Sequence, residues 1–312
     1  MQSCLLNKSE ILSKQAWFPH LNKGYPNDSK AYKRKKEYWF SAASRKRWIF
    51  FLSTAIVGLA VSAAVLHRGL QTLKHFTRLS FISLWNLGFG RVDPLSVIYY
   101  YPDNDHGANY KPNNASVILL LANLPQLLVS VLYLNYNSLF TCMLMEKEWN
   151  DFAYDRKALR VSSPLDGQRS TYFLSLPYGY AIPLIVLSGL MHWLVSQSIF
   201  LAQINPPASD TEKDHIVRTF GYSCIGIVFV LIVGSSMLLI VLFVGARRYR
   251  PGMPLAAHCS AVLSAACQRL PEEKDMTTLP LKWGVVSEDG DIQHCTLSSL
   301  EVQAPKQGDL YR

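Results

Sequence analysis

The sequence lacks the short motifs that mark most enzyme, cofactor and metal sites. It contains no P-loop, no HExxH zinc motif and no GxSxG nucleophile elbow, and GFGR at 88–91 is too short for a dinucleotide fingerprint. Its six cysteines form no CxxC pair, and none falls in a loop that we assign to the outside. Neither a zinc site nor structural disulfides are therefore expected. We predict a non-enzymatic protein without a metal ion or a cofactor.

Charge is missing from four long stretches of the chain. Residues 48–66, 116–145, 178–202 and 219–246 contain no Asp, Glu, Lys or Arg. A helix needs about 20 apolar residues to cross the hydrocarbon core of a bilayer, and each stretch is long enough. The sequence therefore predicts an all-α membrane fold, with a four-helix transmembrane bundle over residues 48–246.

The sequence also has few acidic residues relative to basic ones, and its net charge is +9. The densest basic clusters, KRKK at 33–36, RKR at 45–47 and RRYR at 247–250, lie beside predicted spans. That placement is typical of signals that orient a protein in a membrane. It favours this explanation of the basic clusters over nucleic-acid binding, so no nucleic-acid partner is predicted. With the N-terminus inside, 24 Lys and Arg fall on the cytoplasmic side and 7 outside. We predict that both termini are cytoplasmic, and we favour the plasma membrane over internal membranes.

One apolar segment, residues 79–90, is too short to span a bilayer. It predicts an interfacial or re-entrant helix, with Trp85 at the level of the lipid headgroups. The alternative is a span that includes residues 91–101. That alternative is disfavoured because it would place Arg91 and Asp93 in hydrocarbon.

Polar side chains follow one face of the second span and one face of the third when each is projected as a helix. They are Asn123, Gln126, Ser130 and Asn137 on the second, and Ser188, His192 and Ser196 on the third. Polar groups in hydrocarbon need partners on neighbouring helices, so we expect the two stripes to meet in a polar seam. A solvated seam would instead form a transport path with His192 as a proton or ligand contact. Helix packing is favoured because the spans hold no charged residue to carry or couple ions.

Two further features concern the helices themselves. Gly226, Val230 and Gly234 recur every four residues on the fourth span, which predicts a small-residue face that another helix approaches closely. The second helix is expected to continue into the cytoplasm to about residue 160, before Ser162, Ser163 and Pro164 stop it.

The segments outside the bundle are expected to be cytoplasmic. Residues 1–47 hold eleven Lys and Arg against three acids and no apolar core, which predicts a basic, largely disordered tail. In the tail at 247–312, an apolar stripe predicts an amphipathic helix over 255–270, and two β-prone runs predict a β-hairpin over 281–299 that packs on this helix. Cys259 and Cys267 are candidates for lipidation by palmitoylation, although small buried cysteines are the favoured interpretation.

Several segments together resemble one family. They are SLWNLGFGRVDP (83–94), LLANLPQLLVSVLYLNYNSLFTCML (120–144), LRVSSP (159–164), QRSTYFLSLPY (168–178), SGLMHWLVSQSIF (188–200), MPLAAHCSAVLSAAC (253–267) and KWGVV with HCTLSS (282–299). The chain resembles, over residues 80–312, an uncharacterised family of multi-pass membrane proteins of filamentous fungi, whose members often carry an N-terminal domain of unknown function. The resemblance implies a fungal integral membrane protein, with less membrane helix before LGFGR than is usual in the family. It implies no activity.

Two functions follow from these expectations. The first is a non-enzymatic membrane protein that acts as an interaction or regulatory component, with the lipid bilayer and membrane or cytoplasmic proteins as its partners. The alternative is a transporter or channel for a small solute or an ion, whose path follows the polar seam.

Overall fold

A computed structural model describes residues 30–76, 80–91, 97–98, 115–165, 167–204, 217–256, 260–267, 273, 276–286 and 293–311. The described chain is mainly helical, and four of its helices are long and apolar enough to cross a membrane. Its helices are α1 (Arg45–Lys74), α2 (Phe81–Leu87), α3 (Ala115–Asp151), α4 (Tyr178–Ser198), α5 (Cys224–Gly245) and α6 (Ser260–Ala266), with a 3-10 turn at Trp39–Ala42. The predicted fold class, an all-α fold with four long apolar helices and small additional elements, is confirmed.

The described residues contain nine short strands in four small sheets. The strands are β1 (Lys30–Ala31), β2 (Val97–Ile98), β3 (Arg160–Val161), β4 (Arg169–Ser170), β5 (Ile199–Ile204), β6 (Val217–Tyr222), β7 (Lys282–Val286), β8 (His294–Ser298) and β9 (Leu310–Tyr311). Within the described residues, β1 pairs with β9, β3 with β4 and β7 with β8, and the order β2-β6-β5 makes a three-stranded sheet. The sequence predicted the β7–β8 hairpin alone.

The third span was predicted to extend too far at its C-terminal end, and the fourth too far at its N-terminal end. Residues 199–202 and 219–222 belong to an antiparallel pair, in which Ile199 lies opposite Tyr222 and Ala202 opposite Thr219. Apolar, β-branched and aromatic residues suit a strand as well as a membrane helix, so composition alone did not separate them.

The second predicted helix also ends earlier than expected. Helix α3 stops at Asp151 rather than near residue 160. The backbone of Lys157 exchanges two hydrogen bonds with Leu281, and Trp283 N donates to Phe152 O at 2.9 Å. Pairing with the segment that begins β7 therefore occupies the carbonyls of Phe152 and Lys157, which a continuing helix would offer to residues 156 and 161.

The short apolar segment forms α2, seven residues long, on which Phe81, Ile82 and Trp85 are exposed. Gly88 and Gly90 follow with φ of 78° and 59°, values that end the helix because glycine adopts them without strain. Strand β2 at Val97–Ile98 contradicts the alternative of a helix continuing through 91–101.

The described chain divides into two compact units, which are considered separately. Unit 1 comprises residues 1–45, 139–178 and 243–312, and unit 2 comprises 46–138 and 179–242. The core of unit 1 joins the end of α3, helix α6 and the β7–β8 hairpin, and its buried side chains include Trp149, Phe152, Ala266, Cys267, Leu281, Trp283 and Leu297. Thr296 Oγ1 also donates to Ala266 O at 3.1 Å, so the hairpin packs on this helix as expected.

Part of the expected basic tail is ordered. Residues 1–29 lie outside the described residues, but Trp39 and Ala42 are buried in unit 1 and Tyr32 packs against its core. Strand β1 pairs antiparallel with β9, with Lys30 opposite Tyr311. The aromatic residues within the basic run supply the apolar surface that orders this segment.

Candidate functional site

The polar seam of unit 2 centres on one pair of side chains, Gln126 of α3 and His192 of α4. His192 Nδ1 lies 2.7 Å from Gln126 Oε1, and Gln126 Nε2 donates to the backbone carbonyl of His192 at 3.1 Å. Both side chains are half-buried. One amide thus binds the ring and the main chain of the same residue.

This geometry fixes the proton on the histidine ring. Because Gln126 Nε2 is the donor to a carbonyl, the atom that faces the imidazole is the amide oxygen, which only accepts. His192 Nδ1 therefore carries the hydrogen in this bond, and in the neutral ring Nε2 is the acceptor. The pair satisfies polar groups that hydrocarbon would leave without partners.

The other predicted seam residues differ in burial and in their contacts. Ser130 donates to the carbonyl of Gln126 in its own helix at 3.1 Å. Asn123 and Ser196 are exposed, and Asn137 is half-buried. Ser188 lines a separate cavity of about 70 Å³ with Tyr133, Tyr136 and mainly aliphatic side chains. Gln126 and His192 do not line that cavity.

The predicted small-residue face of α5 does make close contacts. A methyl group added at Gly226 would lie 3.0 Å from Ser198 Oγ and 3.2 Å from Ser198 Cα. One added at Gly234 would lie 3.2 Å from Leu59 Cδ2. Gly226 therefore allows the end of α4 to pack closely on α5, and Gly234 allows α1 to do so.

A second polar site, at the C-terminal end of α3 in unit 1, was missed from the sequence. Asn150 Nδ2 donates to Arg250 O at 2.6 Å and its Oδ1 accepts from Met253 N at 2.9 Å. Trp149 Nε1 donates to Pro254 O at 3.2 Å, and the buried Glu146 accepts from Ala256 N.

These side chains fix residues 250–256 against the helix, and Tyr154 donates to Pro251 O in the same way. The sequence did carry one signal for this site. Residues 146, 150 and 154 are spaced four apart, which places their polar and aromatic side chains on one side of a helix.

Beside this segment, unit 1 contains a cavity of about 390 Å³. Its lining includes Tyr32, Trp283, Tyr311, Met253, Cys295 and two lysines, Lys33 and Lys35. Tyr32 lies between Trp283 and Tyr311, with ring centroids 6.2 Å and 6.4 Å away. A mainly apolar wall with a few polar groups is characteristic of ligand cavities of this size.

Burial affects two of the side chains that line this cavity. It raises the pKa of the Cys295 thiol to about 12 and also raises the pKa of Tyr32. Both groups are therefore protonated at neutral pH. A protonated thiol is a poor nucleophile and metal ligand.

The structure describes one of the two predicted lipidation sites. Cys259 lies outside the described residues, whereas Cys267 is 5% exposed and belongs to the core of unit 1. Over the described ranges, no group of three or more His, Cys, Asp or Glu residues could hold a metal ion.

Comparison with known proteins gives a family without an assigned activity. A family model described as a domain of unknown function (DUF8419) matches residues 6–303, so the match extends towards the N-terminus beyond the segments that carried the resemblance. No curated protein and no solved structure matches the chain. Because the model covers nearly the whole sequence, the chain belongs to the DUF8419 family.

Proposed function

We propose that this protein is a four-span membrane protein that acts as a non-enzymatic interaction or regulatory component. In this proposal both chain ends and unit 1 are cytoplasmic, and the host membrane is the plasma membrane. On the motifs given above, we also assign the chain to the fungal multi-pass membrane proteins.

Insertion into a bilayer is supported by the surfaces of the four long helices. Each exposes large apolar side chains, for example Ile56 at 58%, Leu127 at 61%, Val186 at 63% and Leu239 at 66%. In water such surfaces would drive aggregation, whereas lipid tails solvate them.

The observation that carries the packing role is the reciprocal bonding of Gln126 and His192. The Gln126 amide forms hydrogen bonds with both the ring Nδ1 and the backbone carbonyl of His192, so it connects helix α3 to helix α4. A transport site would leave polar atoms available to water or solute.

A common side for both chain ends is supported by β1 and β9. Lys30–Ala31 and Leu310–Tyr311 are hydrogen-bonded neighbours, and an even number of spans returns the chain to the side where it began. The excess of Lys and Arg in the segments of unit 1 supports the cytoplasm as that side.

An interaction role is supported by the 390 Å³ cavity of unit 1. Its walls combine aromatic rings with Lys33 and with the ion pair of Lys35 and Glu37, so it suits a mainly apolar group of a partner.

The packing role is tested by the accessibility of single cysteines at positions 126, 192 and 196 in a background without native cysteines. A cysteine at position 306, in an exposed part of unit 1, is the positive control. We expect the control to react with a membrane-impermeant maleimide in permeabilised cells and positions 126 and 192 to stay unlabelled. Labelling at all three seam positions would support the transport alternative and overturn the packing role.

Topology is tested separately with a short epitope at each end of the chain. We expect protease to remove both epitopes from inverted membrane vesicles and neither from intact cells. Removal of one epitope alone from either preparation would contradict the proposed orientation.

A further inference from the structure

Unit 1 presents a cationic patch built from two segments that are distant in the sequence. The patch consists of the exposed residues Lys33, Arg34, Lys35, Lys36, Arg247, Arg248 and Arg250. Residues 33–42 and 246–256, which contain it, hold a single acid, Glu37. The fold thus concentrates positive charge that the sequence keeps apart.

Specific contacts hold the two segments together. Trp39 N donates to Arg247 O, and Tyr249 N donates to Glu37 O, both at 2.9 Å. The rings of Trp39 and Tyr249 stack, with centroids 5.3 Å apart and planes inclined by 10°. Like charges repel, so these hydrogen bonds and this buried stack oppose an electrostatic cost.

Little within the described chain neutralises the patch. Glu37 pairs with Lys35 at 2.6 Å. The ion pairs found among the described residues do not include Arg247, Arg248 or Arg250. An anion bound here would therefore relieve repulsion that is present in the free protein.

Three guanidinium groups are oriented by aromatic rings. Arg247 lies 5.2 Å from the Trp39 ring, Arg248 lies 4.9 Å from the Tyr38 ring, and Arg250 lies 5.9 Å from the Tyr154 ring. Arg248 Nη2 also donates to Tyr38 Oη at 2.7 Å. Each guanidinium has five N–H donors, and a stacked guanidinium is well suited to phosphate oxygens.

The patch lies next to the ends of two apolar helices. Arg247 follows the last residue of α5, Gly245, by two positions, and α1 begins at Arg45. A methyl group added at Gly245 would lie 2.7 Å from the Phe40 ring, so this glycine permits the first segment to pack there. If the helices span a bilayer, the cations lie at the level of its headgroups.

We propose that the cationic patch binds the headgroup of an anionic phospholipid in the surrounding bilayer. Phosphate oxygens accept hydrogen bonds from both segments, so the lipid acts as a counterion that strengthens their pairing. This inference rests on the proposed membrane insertion. It assigns to the protein a lipid partner with a phosphorylated headgroup.

Insertion is checked first, because the inference depends on it. Membranes that contain the full chain are washed with alkaline carbonate, and release of the chain would overturn the proposed function itself. Chain retained by the membranes is purified in a neutral detergent. It is then titrated with dioctanoyl phosphatidylinositol 4-phosphate, and bound lipid is counted by native mass spectrometry.

The variants remove one charge from each segment. Each Lys or Arg near an anionic surface contributes roughly a fivefold factor in affinity. We therefore expect Lys36→Gln and Arg250→Gln to weaken binding about fivefold each, and the double variant about 30-fold. The matched control, Lys147→Gln/Lys306→Gln, removes the same charge from exposed positions of unit 1 outside the patch and should change affinity less than about twofold. Equal unfolding temperatures in detergent verify that both double variants are folded.

Two further arms identify the ligand. Dioctanoyl phosphatidylcholine, which has no net charge, should not compete for the site. Glycerophosphoinositol 4-phosphate carries the same phosphates without acyl chains, and equal affinity for it would assign the site to a soluble ligand and overturn the lipid proposal. The absence of bound anionic lipid on the wild-type chain, or an equal loss in the control variant, would overturn it as well.

Discussion

At the scale of single residues, the pairing of Gln126 with His192 is a bond between two helices that lies among apolar side chains. Val129, Met191 and Val195, which lie within one helical turn of the pair along α3 and α4, belong to a buried apolar cluster. Removing one partner leaves the other without its hydrogen bond, so the two substitutions should not be additive.

We expect Gln126→Leu and His192→Leu each to lower the free energy of unfolding, and the double variant to lose less than the sum. Interhelical hydrogen bonds in membranes contribute roughly 0.6 kcal/mol on average and up to about 1.7 kcal/mol. The coupling energy of the double-mutant cycle, measured by thermal unfolding in detergent, should lie in that range. Strict additivity would show that the contact does not stabilise the helix pair.

Cys295 provides a test of burial in unit 1. Burial raises the pKa of its thiol to about 12, so the folded state favours the protonated form. At pH 8 the thiolate fraction is then roughly one in ten thousand, against about a quarter for an exposed thiol. The stabilising effect of this group is complete below about pH 8 and is lost as the pH rises towards 12.

We therefore expect iodoacetamide to modify Cys295 at least about 100-fold more slowly in the native protein than in SDS at pH 8. Peptide mass spectrometry follows this cysteine separately from the other five. Similar rates in the two states would contradict its burial.

Helical projection predicted this residue pair but not the surroundings of the other seam residues. It gives the direction of a side chain from its helix axis, which was sufficient for Gln126 and His192. It does not give the distance to the neighbouring helix, which is why Asn123 and Ser196 are exposed in the structure. Glu146 and Asn150 were missed because their partners are backbone atoms of residues 250–256, which have no side-chain signal in the sequence.

At the scale of elements, the glycines of the long helices differ in the space around them. Gly226 lies against Ser198, whereas nothing lies within 4 Å of a methyl group added at Gly189 of α4. We expect Gly226→Val to lower the free energy of unfolding by about 1–3 kcal/mol, because the added atoms overpack the contact.

Gly189→Val is the matched control, because it adds the same atoms to an open helix face. Its effect should stay below about 0.5 kcal/mol. Both variants are compared by SDS titration and by thermal unfolding. If both variants lowered the free energy of unfolding equally, the effect would come from placing valine in a helix and not from the close contact at Gly226.

The centres of the four long helices were predictable because each is a long run without charge. Their ends were not, because Ile199, Phe200 and Phe220 are equally compatible with a helix or a strand. The choice there is made by pairing between β5 and β6, which are separated in the sequence. Helix α3 ends for the same kind of reason, since Lys157 pairs with Leu281, 124 residues away.

At the scale of the whole molecule, unit 1 is assembled from three stretches of sequence. Its first stretch is held by its last, because Tyr32 N donates to Asp309 O at 2.9 Å and Gly308 N donates to Tyr32 O at 3.0 Å. We expect deletion of residues 308–312 to accelerate amide hydrogen exchange in residues 30–36 by about 100-fold or more.

Exchange in residues 48–66 of α1 should stay unchanged in that deletion. Leu310→Ala is the control variant, because it keeps the backbone pairing and alters a side chain that is 57% exposed. Unchanged exchange at residues 30–36 in the deletion would show that β9 does not hold the first segment in place.

The pairing of β1 with β9 also determines the order in which the molecule can be completed. Residues 310–311 leave the ribosome after all four long helices, so Lys30 and Ala31 must wait through the synthesis of nearly the whole chain for their partner. Until then β1 lacks its partner strand. The pairing of β1 with β9 can therefore form only after the four long helices have been synthesised.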